Sequence, residues 1–186
     1  MPSNSLNGRT SSGVPEGTIR AAVEGDRSAR EALYLACVER VHRLMYRMVG
    51  PDEASDLTQQ VFLQVFRKLN TFAGNSKFET WLYRLAVNEA LQFRRKRKLP
   101  TVPLYDETMN RSVPRSSRTE LRDLLQQALA QIDDDLRMVF LLREQEGLSY
   151  ADIAEVLGIS EGTVGSRLNR VRKELQSVLK RLGWEQ

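Results

Sequence analysis

Residues able to ligate a metal or attack a substrate are scarce: the chain has one cysteine, Cys37, and one histidine, His42. A disulfide within the chain is therefore impossible. A Cys/His zinc site needs about four ligands and is ruled out too. Cys37 and His42 lie five residues apart in a helical segment and share a face poorly, so a thiol–imidazole nucleophile pair is disfavoured. A buried thiol and a partly exposed imidazole are expected instead. Gly158 to Gly165 is glycine-bearing, but no Lys-Ser/Thr pair follows as a phosphate-cradling Walker loop requires.

What remains is charge. The net +4 hides an uneven distribution. Arg84 to Lys98 carries six basic residues and one acid, +5. Asp106 to Glu161 carries six basic and twelve acidic, −6, and Gly162 to Gly183 again six and one, +5. Basic clusters on helices suit polyanions, although many are only solvated faces.

These clusters need elements to hold them. At 186 residues the chain can form one medium domain or two small ones. Apolar residues make up 41%, enough for a core, yet no apolar run approaches the roughly 18–20 residues that span a bilayer. The first 17 residues lack a signal peptide's apolar stretch, so a cytoplasmic protein is expected. Residues 1–14 read as a disordered tail. Helices are predicted from Pro15-Glu16 to Gly25, over 27–49 (ended by Gly50-Pro51), over 52–69 and over 78–98. Residues 99–117, with Pro100, Pro103 and Pro114, lose all periodicity and read as a flexible linker. A second helical unit follows over 118–186, including a helix over 136–146 opened by Asp133-Asp134-Asp135. Nothing alternates like a strand. The expected fold is all-α, in two small bundles.

The C-terminal end reads as a helix-turn-helix. Ser149 with Asp152 forms a capping-box variant, and Ile153, Ala154 and Leu157 point inward. Gly158 turns the chain, Ile159 plugs the core, and Ser160 caps a second helix with Val164, Leu168, Val171, Leu175 and Leu179 on its apolar face. Outward side chains near the start of such a helix can enter a major groove. Arginine binds guanine in two places, and serine or asparagine other base edges.

The motif blocks then resemble a known family. Asp56 to Phe66 (DLTQQVFLQVF) is similar to the core-polymerase-binding helix of sigma-70-type factors, and Phe78 to Asn88 (FETWLYRLAVN) to their −10 promoter helix. Leu136 to Glu144 and Gly147 to Tyr150 precede the helix-turn-helix as in sigma region 4, and Gly162 to Leu168 resembles its recognition helix. With regions 2 and 4 only, the chain resembles a group IV (extracytoplasmic-function, ECF) sigma factor. The resemblance implies a region 2 domain over 15–98 and a region 4 domain over 118–186.

It implies site residues too. Asp56, Gln59, Gln60 and Phe62 would meet the clamp helices of polymerase β′; Gln60 stands where the family usually has Glu. Phe72, Asn75, Ser76, Lys77, Trp81 and Asn88 would capture the unpaired −10 strand, with Arg84, Arg94 and Arg95 on phosphates. For Trp81 and Tyr83 the plain alternative is hydrophobic core. Arg143, Ser166, Arg167, Asn169, Arg170 and Lys173 would touch −35 DNA. Gly165 departs from the family's Lys or Arg. No metal, cofactor or catalytic residue is implied. The implied partners are core RNA polymerase (β and β′), promoter DNA and an anti-sigma factor. Two rivals remain: a repressor or activator using the helix-turn-helix alone, which leaves the first 98 residues without a role, and a nuclease, which lacks a carboxylate–histidine cluster.

Overall fold

A computed structural model describes residues 14–97 and 117–184. The tail and the linker fall almost wholly outside these residues. Eight α-helices and no strand occur among the described residues: α1 (Glu16–Glu24), α2 (Arg27–Val49), α3 (Pro51–Lys68), α4 (Phe78–Arg97), α5 (Ser117–Ala130), α6 (Asp134–Phe140), α7 (Tyr150–Leu157) and α8 (Glu161–Arg181).

Local chemistry sets the breaks. Gly25 adopts a left-handed φ of 100° that ends α1, and the Asp26 side chain accepts from the Ala29 amide at 2.6 Å to open α2. Gly50, φ 94°, ends α2, and Pro51 becomes the first residue of α3, where its missing N–H costs nothing. Leu33, Cys37, Val41, Leu44, Met45 and Met48 form the buried stripe of α2. They meet Leu57, Val61, Phe62 and Val65 of α3 and Leu82, Ala86 and Ala90 of α4. Burial, reinforced by the Glu79 carboxylate, pushes the Cys37 thiol up to about 11.

The C-terminal unit packs Leu129, Ile132, Leu136 and Val139 against Val164, Leu168, Val171 and Leu175 of α8. The expected helix over 136–146 does not run straight through. After α6 the chain widens into one π-helical turn, Leu141–Gln145, where the Glu146 amide reaches back five residues to the Leu141 carbonyl. Gly147, φ 69°, closes it. Arg137 is buried, and its guanidinium donates to the Ala130 and Ile132 carbonyls, tying down the chain between α5 and α6.

The units do not stand apart. Helix α4 lies along α7, and α2 touches α5 and α6. This interface has no counterpart in the sequence reading, which placed a linker between two independent bundles.

Candidate nucleic-acid and polymerase interfaces

Helix α3 divides cleanly. Asp56, Gln59 and Gln60 are exposed and share one face. Phe62 does not join them: it is buried, edge-on to the Tyr34 ring at 4.8 Å. Its outward neighbour Leu63 is 64% exposed and completes the stripe at the i, i+3, i+4, i+7 spacing from Asp56. Helical spacing carries the signal for this. Leu57, Val61 and Val65 fix the inward face, and Leu63 falls opposite it.

Helix α4 and the loop before it carry the second group. Gly74, φ 73°, turns the loop. Phe72, Phe78 and Trp81 stack around one another with centroids 5.5–5.7 Å apart. Trp81 and Phe72 are half-buried, so each braces the loop while leaving part of its ring to solvent. Asn75, Asn88 and Arg95 are exposed, and Ser76 is half-buried. Lys77, Arg84 and Arg94 are already engaged. Lys77 Nζ lies 2.9 Å from an Asp152 oxygen and Arg84 3.7 Å from Glu155. Arg94 binds Asp134 and also donates to the Met48 carbonyl at 2.8 Å.

The third group lies on α7 and α8. Ser149 and Asp152 close the expected capping box, Gly158 turns with φ 65°, and Ser160 accepts from the Thr163 amide at 3.1 Å. Val164, Leu168 and Val171 face the core. Ser166, Asn169, Arg170 and Lys173 are exposed on the other side. Arg167 is held at 3.0 Å by Asp135 and Arg170 at 2.7 Å by Glu174. Arg143 donates to the Leu148 carbonyl at 2.7 Å with its guanidinium over the Tyr150 ring. A side chain at Gly165 would meet that ring at an ordinary 3.7 Å, so the space does not demand glycine.

One buried carboxylate was missed by the sequence reading. Glu146, set by the π turn, accepts from Tyr83 Oη and, at 3.3 Å, from Arg40 Nε of the other unit. Gln145 donates to its second oxygen at 2.7 Å, so the buried charge is fully partnered. Burial, with Glu146 beside it, pushes the Tyr83 phenol well above its ordinary range. Among the described residues no cluster of ligand side chains could hold a metal, and no helix is long and apolar enough to cross a membrane.

Known proteins match this arrangement. The family descriptions "Sigma-70 region 2" and "Sigma-70, region 4" cover residues 33–99 and 122–175. RNA polymerase sigma-H factor of Pseudomonas aeruginosa is 35% identical over 179 residues, 88% of this chain and 93% of that protein. ECF RNA polymerase sigma-E factor of Escherichia coli K12 is 32% identical over 173 residues, 86% of this chain and 91% of that protein. Among solved structures, the sigma factor RpoE of Bartonella quintana, in complex with the anti-sigma factor NepR, aligns with a TM-score of 0.65 and 25% identity over 81% of this chain and 96% of that one. CnrH, in complex with the cytosolic domain of CnrY, shares the fold at a TM-score of 0.68 and 24% identity, covering 88% of this chain and 96% of that one. The chain belongs to the sigma-70 family, among its group IV extracytoplasmic-function members, and is a transcription-initiation factor rather than an enzyme.

Proposed function

We propose that this sigma factor works in the cytoplasm through three separate faces. The region 2 domain, 15–98, docks on core RNA polymerase by the α3 stripe of Asp56, Gln59, Gln60 and Leu63, with Phe62 buttressing it from inside. The α4 face and the 70–77 loop melt and hold the −10 element. Trp81 and Phe72 offer ring faces for stacking, Asn75, Ser76 and Asn88 offer polar readers, and Lys77, Arg84, Arg94 and Arg95 meet phosphates. The region 4 domain, 118–186, reads duplex −35 DNA with Ser166, Arg167, Asn169, Arg170 and Lys173, while Arg143 supports the helix-turn-helix from below.

One observation carries this reading. Helix α8, the second helix of a capped helix-turn-helix, presents a polar and cationic surface in a chain whose other half is region 2. Polymerase supplies all catalysis. The RpoE relative is paired with an anti-sigma factor, and a partner of that kind would restrain this chain as well. Run-off transcription is the test. Purified chain plus core polymerase should start transcripts at one defined site on a promoter mapped by overproduction. Tight duplex binding without initiation would leave a repressor or activator instead.

A further inference from the structure

We propose that Glu174 is a positioning residue of the −35 reader: it holds Arg170 by the Nε–H and leaves the terminal nitrogens of that guanidinium free to bind both acceptors of one guanine. Arg167, held by a terminal nitrogen instead, is withdrawn from base reading. This rests on the assignment of α8 to −35 DNA made above.

Arg167, Arg170 and Arg172 of α8 each meet a carboxylate, but by different nitrogens. Arg167 donates from Nη2 to Asp135 at 3.0 Å, and Arg172 from Nη2 to Glu144 at 3.0 Å. Arg170 donates from Nε to Glu174 at 2.7 Å. Guanine presents N7 and O6 together, so an arginine that reads it must bring two free N–H donors. Arg170 keeps its Nη1 and Nη2 for that, and its side chain is 70% exposed against 28% for Arg167. Both arginines line one recess of about 350 Å3 beside the start of α8, together with Asp133 and Asp135. Two carboxylates there oppose a phosphate and leave a base edge as the fitting acceptor.

Two features set this pair apart from a plain helix-stabilising one. Glu174 is the one acid in the +5 stretch from Gly162 to Gly183, and a carboxylate on a helix offered to phosphates works against affinity. Arg170 also precedes Glu174, which is the less stabilising order for an i, i+4 pair. Glu174 stands one turn behind Arg170, about 6 Å further along α8 and away from the N-terminal residues that enter a groove. It therefore acts through the arginine and not on the DNA. The gain is pre-organisation: a long side chain fixed before binding loses less rotamer freedom when it meets a base.

The test uses the full chain assembled with core polymerase. The probe is the promoter mapped by overproduction, randomised over about one helical turn around −35. Bound duplexes are sequenced. Wild type should enrich a G·C pair at one position about tenfold over any other pair, and Arg170→Ala should erase that enrichment. Glu174→Ala should cut it at least about threefold while retention of the whole pool holds or rises, because a repelling charge has gone. Glu174→Gln, whose amide oxygen can accept the same Nε–H, should keep most of it. In the Arg170→Ala background, adding Glu174→Ala should change nothing at that position. Each enrichment is a ratio within one preparation, so a loss of folded protein cancels. Full enrichment in Glu174→Ala, or a G·C preference erased by Arg167→Ala and untouched by Arg170→Ala, overturns the proposal. A wild type that enriches pairs independent of Arg170 overturns this proposal alone. A wild type that enriches none at all removes the −35 assignment with it.

Discussion

Phe62 and Leu63 are adjacent in the chain and opposite in fate. Phe62→Ala should cost about 3–5 kcal/mol in thermal or denaturant unfolding, because it empties a core site against Tyr34. Leu63→Ala should leave stability within about 0.5 kcal/mol and weaken capture of core polymerase, measured by competition with a labelled sigma factor. Retained polymerase affinity in Leu63→Ala would remove it from the docking face. Asn88, exposed on α4, invites a matching separation: Asn88→Ala should lower open-complex formation, followed by permanganate footprinting, with polymerase binding nearly intact. Cys37 belongs to the opposite class. With its thiol pushed up to about 11, little thiolate exists at pH 8, and a thiol reagent should react only after unfolding. These individual placements show where residue types suffice. The i, i+3, i+4, i+7 spacing from Asp56 sets Gln59, Gln60 and Leu63 on one exposed stripe, and Phe62 lies on the buried side. The family resemblance grouped Phe62 with the contact residues because a motif is blind to which way a side chain points.

At the scale of elements, glycines and caps made the fold readable. Gly25, Gly50 and Gly158 mark real breaks, and Ser149, Ser160 and Asp26 cap real helices. The π turn was not readable, because no residue type encodes a wider turn; it buries Leu141 and Leu142. Gly165 sits inside α8 with room beside it, so Gly165→Ala should raise stability by about 0.5–1 kcal/mol in thermal melts. Asp152 carries a pH prediction. Burial pushes its carboxyl up, but hydrogen bonds from Ser149 and Lys77 outweigh that and hold it below its usual value of 3.8. A depressed carboxylate stabilises the fold above its ordinary value, and the contribution fades as pH falls through the lowered one. The melting-temperature advantage of wild type over Asp152→Asn should be full at neutral pH and shrink below about pH 4.

For the whole molecule, the sequence disclosed two units and three charge blocks but not their contact. Net charge by segment set an acidic stretch between two basic ones. It could not say which carboxylate meets which cation, because that depends on how α4 lies along α7. Buried Glu146 was the least visible of all, since a lone Glu in a helix normally reads as solvated. Its partners Tyr83 and Arg40 come from distant sequence, at separations of 63 and 106 residues.

The four ion pairs between the units have a consequence for thermodynamics of binding. A protein that neutralises phosphates on a single strand releases counterions, giving a slope of about −0.7 per phosphate in log affinity against log salt. Here the cations enter the reaction already matched to carboxylates. Freeing them leaves those carboxylates to gather cations from solution, an uptake that offsets part of the release. The isolated chain should therefore show a flatter salt slope for a single strand than its cation count implies.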